Sequence, residues 1–139
     1  MTTQDRFWVR ELIILVVTML SLLNCRAQRK YYFSHKSTTE GNGSKLHPFS
    51  SLEKFSQLTL LPGDSIFFHA GDTIVGNIVL NNIRGSRNQN IVFTSYGKGR
   101  CVLNGINKEA ITITSSSYFQ ILNLVITGSG RKPGIRLTD

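Results

Sequence analysis

The sequence predicts an all-β chain wound as a three-sided solenoid, and three observations lead there. From Pro62 onward short β-rich runs alternate with turn residues, and many runs place apolar and polar residues in turn, as in Ile111-Thr112-Ile113-Thr114. Asn123 stands alone between the apolar runs Phe119/Ile121 and Leu124/Ile126. One residue is too short for a tight antiparallel hairpin, which needs at least two, but it suffices for a corner. Finally, similar runs recur at residues 91–93, 111–113 and 135–137, spacings of 20 and 24 residues, within the range of repeat proteins.

The elements follow in chain order. Residues 12–23 (LIILVVTMLSLL) carry no charge. Twelve helical residues span about 18 Å, short of the ~30 Å bilayer core. Arg6 and Arg10 precede the run, and Asn24-Cys25-Arg26-Ala27-Gln28 follows it. Basic start, apolar middle and small polar end match a secretory signal, so residues 1–28 are set apart from the fold. A buried helix or an uncleaved anchor is the alternative. Cleavage after Ala27 or Gln28 would remove Cys25. Leu22-Leu23-Asn24-Cys25 also loosely resembles a bacterial lipobox, which makes Cys25 a candidate lipid-attachment site. Either way Cys101, flanked by Val102 and Leu103, has no second thiol and reads as an inert core residue.

Residues 29–63 should form a strand, a loop and a cap. Tyr31-Tyr32-Phe33-Ser34 reads as a strand, and residues 37–44 (STTEGNGS) as a polar loop. Residues 50–58 predict a short helix: Ser50 and Glu53 form a capping box, and Phe49, Leu52, Phe55 and Leu58 recur every third residue. Residues 64–139 should form the coils, with strands at 65–68, 77–80, 90–94, 101–103, 110–114, 118–122, 124–127 and 134–137. Pro62-Gly63-Asp64, Gly71-Asp72, Asn81-Asn82, Tyr96-Gly97, Asn104-Gly105 and Gly128-Ser129-Gly130 supply turns. An antiparallel sandwich also uses many short strands, and Asn104-Gly105 could serve one as a hairpin turn.

Composition narrows the function. The chain has 139 residues, 40% hydrophobic and 17% charged, with 3 Pro and 12 Gly. Disordered, coiled-coil and collagen-like classes are excluded. Of the net charge of +8, +7 falls after Gln28, which favours an anionic partner. No phosphate-binding Gly-x-x-x-x-Gly-Lys loop and no Gly-x-Ser-x-Gly elbow occurs.

Several phrases together resemble the opening of bacterial right-handed parallel β-helix proteins of the pectate-lyase-like superfamily. They are Leu60-Leu61-Pro62-Gly63-Asp64-Ser65-Ile66-Phe67-Phe68, Ala70-Gly71-Asp72-Thr73 with Gly76, and Ile91-Val92-Phe93-Thr94-Ser95-Tyr96-Gly97. Val102-Leu103-Asn104-Gly105 and Ile121-Leu122-Asn123-Leu124-Val125-Ile126-Thr127-Gly128 complete the set. The likeness runs from about Tyr31 to Gly128. It implies a right-handed parallel β-helix of about three coils, with the short helix as an N-terminal cap. Such proteins normally run for several more coils, so the expectation is a product truncated at its C-terminus. Superfamily members include polysaccharide lyases, glycoside hydrolases, epimerases and non-catalytic surface proteins, so the fold leaves activity open.

The acids after Gln28 are Glu40, Glu53, Asp64, Asp72, Glu109 and Asp139. Asp64 and Asp72 follow glycines and read as turn residues bonding nearby backbone. His35, His47 and His69 lack partners at metal-ligand spacing. No catalytic, cofactor or metal residue is therefore assigned. Basic residues lie mostly in loops. If corners stack, Lys98 and Arg100 would align with Arg131 and Lys132 as a glycan-contacting stripe; solvated loop charge is the plainer reading.

The expected function is the N-terminal part of an exported carbohydrate-active β-helix protein, secreted, periplasmic or at the cell surface. Its partner would be a polysaccharide, favoured to be acidic, and the enzyme coils (lyase or glycoside hydrolase) would lie elsewhere, leaving this segment inactive alone. A non-catalytic surface β-helix that binds glycan or mediates adhesion is the alternative. Nucleic acid is disfavoured by the export signal, and membrane contact is expected only through that signal or a lipid on Cys25.

Overall fold

The computed structural model describes residues 8, 10–16, 27–128 and 130–139. Cys25 and most of the apolar run lie outside them. Residues 10–16 are helical, and no helix among the described residues is long and apolar enough to cross a membrane.

Among the described residues ten strands follow: β1 (Lys30–Phe33), β2 (Ser65–His69), β3 (Thr73–Val75), β4 (Ile78–Asn81), β5 (Ile91–Tyr96), β6 (Cys101–Asn104), β7 (Ile111–Thr114), β8 (Phe119–Ile121), β9 (Leu124–Thr127) and β10 (Ile135–Thr138). They form three sheets, in the orders β1-β2-β5-β8, β3-β6-β9 and β4-β7-β10. Every pairing between these strands is parallel. From β2 onward the chain enters the first, second and third sheets in strict rotation. Three laps result: β2–β4, β5–β7 and β8–β10. An antiparallel sandwich is excluded, because β8 pairs with β5 and β9 with β6 instead of with each other.

Asn123 makes the bend between β8 and β9. Its φ is 50°, in the left-handed region that Asn tolerates better than most side chains. Its carbonyl accepts from Ser95 Oγ at 2.7 Å, and its Nδ2 donates to the Gly99 carbonyl at 3.3 Å, so the corner is fastened to the lap before it.

Inward residues form rows across the laps. Tyr31, Ile66, Phe93 and Ile121 stand in register, as do Ile74, Leu103 and Ile126. Ile78, Ile111 and Ile135 make a third row and Leu80, Ile113 and Leu137 a fourth. These rows correct the expected repeat. Ile91 belongs to the first sheet and Ile111 to the third, so their 20-residue spacing is not a lap. The 24-residue step from Ile111 to Ile135 is one. Real steps run from 23 residues (Leu103 to Ile126) to 33 (Ile78 to Ile111), since only the strands must stay in register.

The expected helix over 50–58 is instead a 3₁₀ turn, Leu52–Gln57. Ser51, not Ser50, caps it, accepting from the Glu53 amide at 3.0 Å. Phe49 and Leu58 fall outside it. Phe49 bridges Phe33 in extended backbone, and Leu58 closes the turn. The apolar side chains still cover the first lap. Phe55 is buried, with ring centroids 6.3 Å from Phe33 and 6.1 Å from Phe93, and Phe49 lies 5.3 Å from Phe33. The other miss is β3. Three residues between two glycine-bearing turns are too few to show alternation, and only the neighbouring strand β6 reveals them.

Burial is deepest in the first two laps. Ile66, Phe68, Leu80 and Ile91 are fully enclosed, whereas Leu137 in the third lap is 71% exposed. Phe68→Ala is therefore expected to cost about 3–5 kcal/mol, the usual penalty for emptying a buried ring. Leu137→Ala should stay within about 0.5 kcal/mol, as at other open positions. Urea unfolding followed by circular dichroism measures both, and similar midpoints for the two variants would contradict the burial gradient.

Candidate functional site

Three corners separate the sheets, and they place the four candidate basic residues apart. Lys98 and Arg100 lie between β5 and β6, at the corner joining the first and second sheets. Arg131 and Lys132 lie between β9 and β10, at the corner joining the second and third. Stacking does not bring the two pairs into one stripe, so that expectation is corrected.

The second corner gathers a different set. Loop 105–110 in lap two lies under loop 128–134 in lap three. The Gly105 amide donates to the Thr127 carbonyl at 3.0 Å, and the Ala110 and Ile111 amides both donate to the Gly134 carbonyl at 3.0 Å. Each loop closes on its own first glycine. A Cβ on Gly105 would collide with the Glu109 and Ala110 backbone, and one on Gly128 with the Lys132 carbonyl. Cations occupy like places in successive laps: the carbonyls facing the two glycines are those of Lys108 and Lys132, and Arg131 stands one residue before the latter. Lys108 and Lys132 are 24 residues apart, the same step as Ile111 to Ile135, and that was the sequence signal for this pairing.

Glu109 ties the laps together electrostatically. Its side chain is largely buried, and its Oε1 is held by Arg136 and, at 4.0 Å, by Lys132. Its own backbone amide, followed by the Arg136 and Lys132 charges, outweighs desolvation and holds the carboxyl below its ordinary range. Arg136 also stands on the outer face of the third sheet, in register with Thr112 and Val79. Asn77 Nδ2 donates to Thr112 Oγ1 at 3.1 Å and to the Glu109 carbonyl at 2.6 Å. In the next row the Thr114 and Thr138 hydroxyls meet at 2.8 Å, with Asn81 in register. The corner thus carries Lys108 and Arg131 on its loops and Lys132 and Arg136 on the Glu109 carboxylate, beside a sheet face of hydroxyls and amides.

The first corner is organised around Asp72, which is 3% exposed. Its Oδ2 accepts from Ser34 Oγ and the His35 amide, both at 2.9 Å. Its Oδ1 meets His69 Nδ1 at 3.3 Å and Lys36 Nζ at 3.7 Å. Burial, the largest effect, pushes the carboxyl up; the bonds from Ser34, His35 and His69 together overcome it, and the net shift is downward. Asp72 was expected to serve its own turn, yet its two shortest bonds reach back to the end of β1. Asp64 also clasps the first strand. It accepts from the Leu61 amide at 2.9 Å, the Arg29 amide at 3.0 Å and Arg29 Nη2 at 2.8 Å. Beside Asp72, half-buried aromatics cover the outer face of the first sheet. Tyr32 stacks on Phe67 at 4.8 Å and meets Tyr96 edge-on at 5.2 Å, and His69 meets Tyr96 at 5.1 Å. Asp64, Asp72 and Glu109 are thus each engaged in joining segments of the fold. Among the described residues no group of three His, Cys, Asp or Glu could hold a metal ion.

No family model and no curated protein matches the chain. Solved structures do. GH136 lacto-N-biosidase from Eubacterium ramulus aligns as the native protein with a TM-score of 0.63 and 18% identity. Its selenomethionine derivative aligns with a TM-score of 0.61 and 20% identity. Both alignments cover 94% of this chain, which spans a quarter of the length of that protein. The likeness is one of fold.

Two outcomes follow. Because the Asp72 carboxyl is held below its ordinary 3.8, the stability it adds is present above that pH and lost as pH falls through the lowered value. Urea midpoints should drop below about pH 4. Asp72→Asn should start about 1–3 kcal/mol less stable at pH 7 and respond less to acid. Cys101 is fully buried, and burial first, then the Asp72 charge, pushes its thiol up to about 12. A maleimide should leave it unlabelled in the native chain and label it in urea; rapid native labelling would contradict the packing of the first corner.

Proposed function

We propose that this chain forms laps of a right-handed parallel β-helix in an exported, carbohydrate-active protein related to the pectate-lyase-like group, and that its own surface binds polysaccharide without cleaving it. The supporting observation is a likeness of fold: a glycoside hydrolase aligns with 94% of this three-sheet chain. Right-handedness is supported by the strong preference of parallel crossovers for that hand. Export is supported by the twelve-residue uncharged run behind two arginines, with removal after Ala27 or Gln28 or lipidation of Cys25 completing it.

Binding is favoured over cleavage by how the carboxylates are used. Sugar hydrolysis needs one carboxyl able to donate a proton and another free to attack or to activate water. Asp64 and Asp72 are buried under structural donors, and Glu109 is kept ionised between two cations. None of these three is free for proton transfer, and Glu40, Glu53 and Asp139 are exposed on three separate segments of the chain. What the surface offers is hydrogen-bonding side chains beside cations on a rigid sheet, which suits holding a hydroxylated chain.

Affinity electrophoresis of the full chain through gels containing individual neutral and acidic polysaccharides tests this, alongside a reducing-end assay. Retardation by at least one polymer without release of reducing ends is expected. Failure to be retarded by any polymer would remove the binding reading, and release of reducing ends by this chain would show that cleavage does occur on these laps.

A further inference from the structure

We propose that the second corner of laps two and three is a subsite for the anionic group of an acidic glycan, a uronate carboxylate or a sulfate ester. The proposal rests on the carbohydrate reading above and deepens it by naming the sugar's charge and the residues that meet it. Two loops of successive laps, each closed on a glycine, are locked together by three backbone hydrogen bonds. Between them and the adjoining strand they carry Lys108, Arg131, Lys132 and Arg136 against the single carboxylate of Glu109.

The division of labour among these cations points to a ligand. Glu109 engages Arg136 and Lys132 and fixes them at the corner. Among the described residues no ion pair engages Lys108 or Arg131, and both are exposed. The corner is thus left with a positive excess on a backbone that is already ordered, and an anion would meet it without reorganising the loops. Charge alone fits any polyanion. The neighbouring groups narrow the choice, since Thr112 lies beside Arg136 on the third sheet, with Asn77 bonded to it from the corner, and Thr114 and Thr138 lie one row away. Neutral donors and acceptors next to a charge-binding corner match a sugar that carries hydroxyls and an acid on one ring.

Lys98 and Arg100 supply the control, because they carry the same charge at a different corner. The full chain is run through gels of polygalacturonate, dextran sulfate or neutral dextran at low salt. The variants are Lys108→Gln/Arg131→Gln and Lys98→Gln/Arg100→Gln, both checked by circular dichroism. Retardation by an acidic polymer is expected, weakened about tenfold in the first variant and less than twofold in the second, the size expected for two exposed contacts at low salt. Response to polygalacturonate assigns a carboxylate, and response to dextran sulfate alone a sulfate. Equal losses in the two variants would overturn the proposal in favour of bulk charge. Retardation by neutral dextran alone would overturn it while leaving the carbohydrate reading standing, and retardation by no polymer would overturn both.

Discussion

The structure depends on one constraint: a lap of this chain can bury its apolar side chains only against the lap beside it. Each strand has three to six residues, and every sheet ladder joins strands from different laps. No strand therefore finds its partner locally, and no lap has a core of its own. Rows such as Ile66–Phe93–Ile121 and Ile78–Ile111–Ile135 are the unit of stability, as in other stacked repeats. This accounts for the burial gradient. The first lap is covered on one side by β1, Phe49 and Phe55 and on the other by lap two, while the third lap has a strand neighbour on one side only among the described residues.

The same constraint explains why two buried aspartates sit at the start of the coil. β1 has no lap of its own and pairs only with β2. Asp64 and Asp72 flank β2, one before its first residue and one three residues after its last. Asp64 takes the Arg29 amide and guanidinium just before β1, and Asp72 takes Ser34 and the His35 amide just after it. The two carboxylates therefore pin β1 at both ends. An unpaired buried carboxylate would be costly, so their burial is tolerable only while those donors are in place. Turn chemistry marks Gly-Asp as a local device in the sequence. That its strongest bonds cross to another segment follows only from the stacking of β1 on β2.

Much of the architecture was legible because it is written in local chemistry. Asn123 between two apolar runs fixes a corner, since its backbone conformation is one that few residues adopt without strain. Alternation in Ile111–Thr114 marks the inward face directly, with both isoleucines buried. What was not legible is whatever depends on comparing laps. The 20-residue interval between Ile91 and Ile111 looks like a period because the two strands are similar, yet they lie in different sheets. The charges were misaligned for another reason: Lys98/Arg100 and Arg131/Lys132 belong to different corners, whereas Lys108 and Lys132 share the 24-residue step from Ile111 to Ile135. The helix was misread for a related reason: threefold spacing of Phe49, Leu52, Phe55 and Leu58 also suits a segment that lies extended at both ends and turns only in its middle.

Unequal lap lengths also explain where binding chemistry can reside. Strand register is held to within a residue by the inward rows, so added chain can be absorbed only at corners. At the second corner the first lap has two residues, 76–77, between β3 and β4, whereas the second and third laps have six and seven, 105–110 and 128–134. In the first lap the corner has room for little more than the Asn77 amide, which is spent on Thr112 and the Glu109 carbonyl. In the next two laps the loop ends stay packed, as buried Gly105 and Ala110 show, while exposed residues between them bring Lys108, and in the third lap Arg131 and Lys132, to the surface. Loops that project from a rigid scaffold are free to vary without cost to packing. The core rows therefore determine that the loops stack, and the inserted residues determine which charge the stack presents.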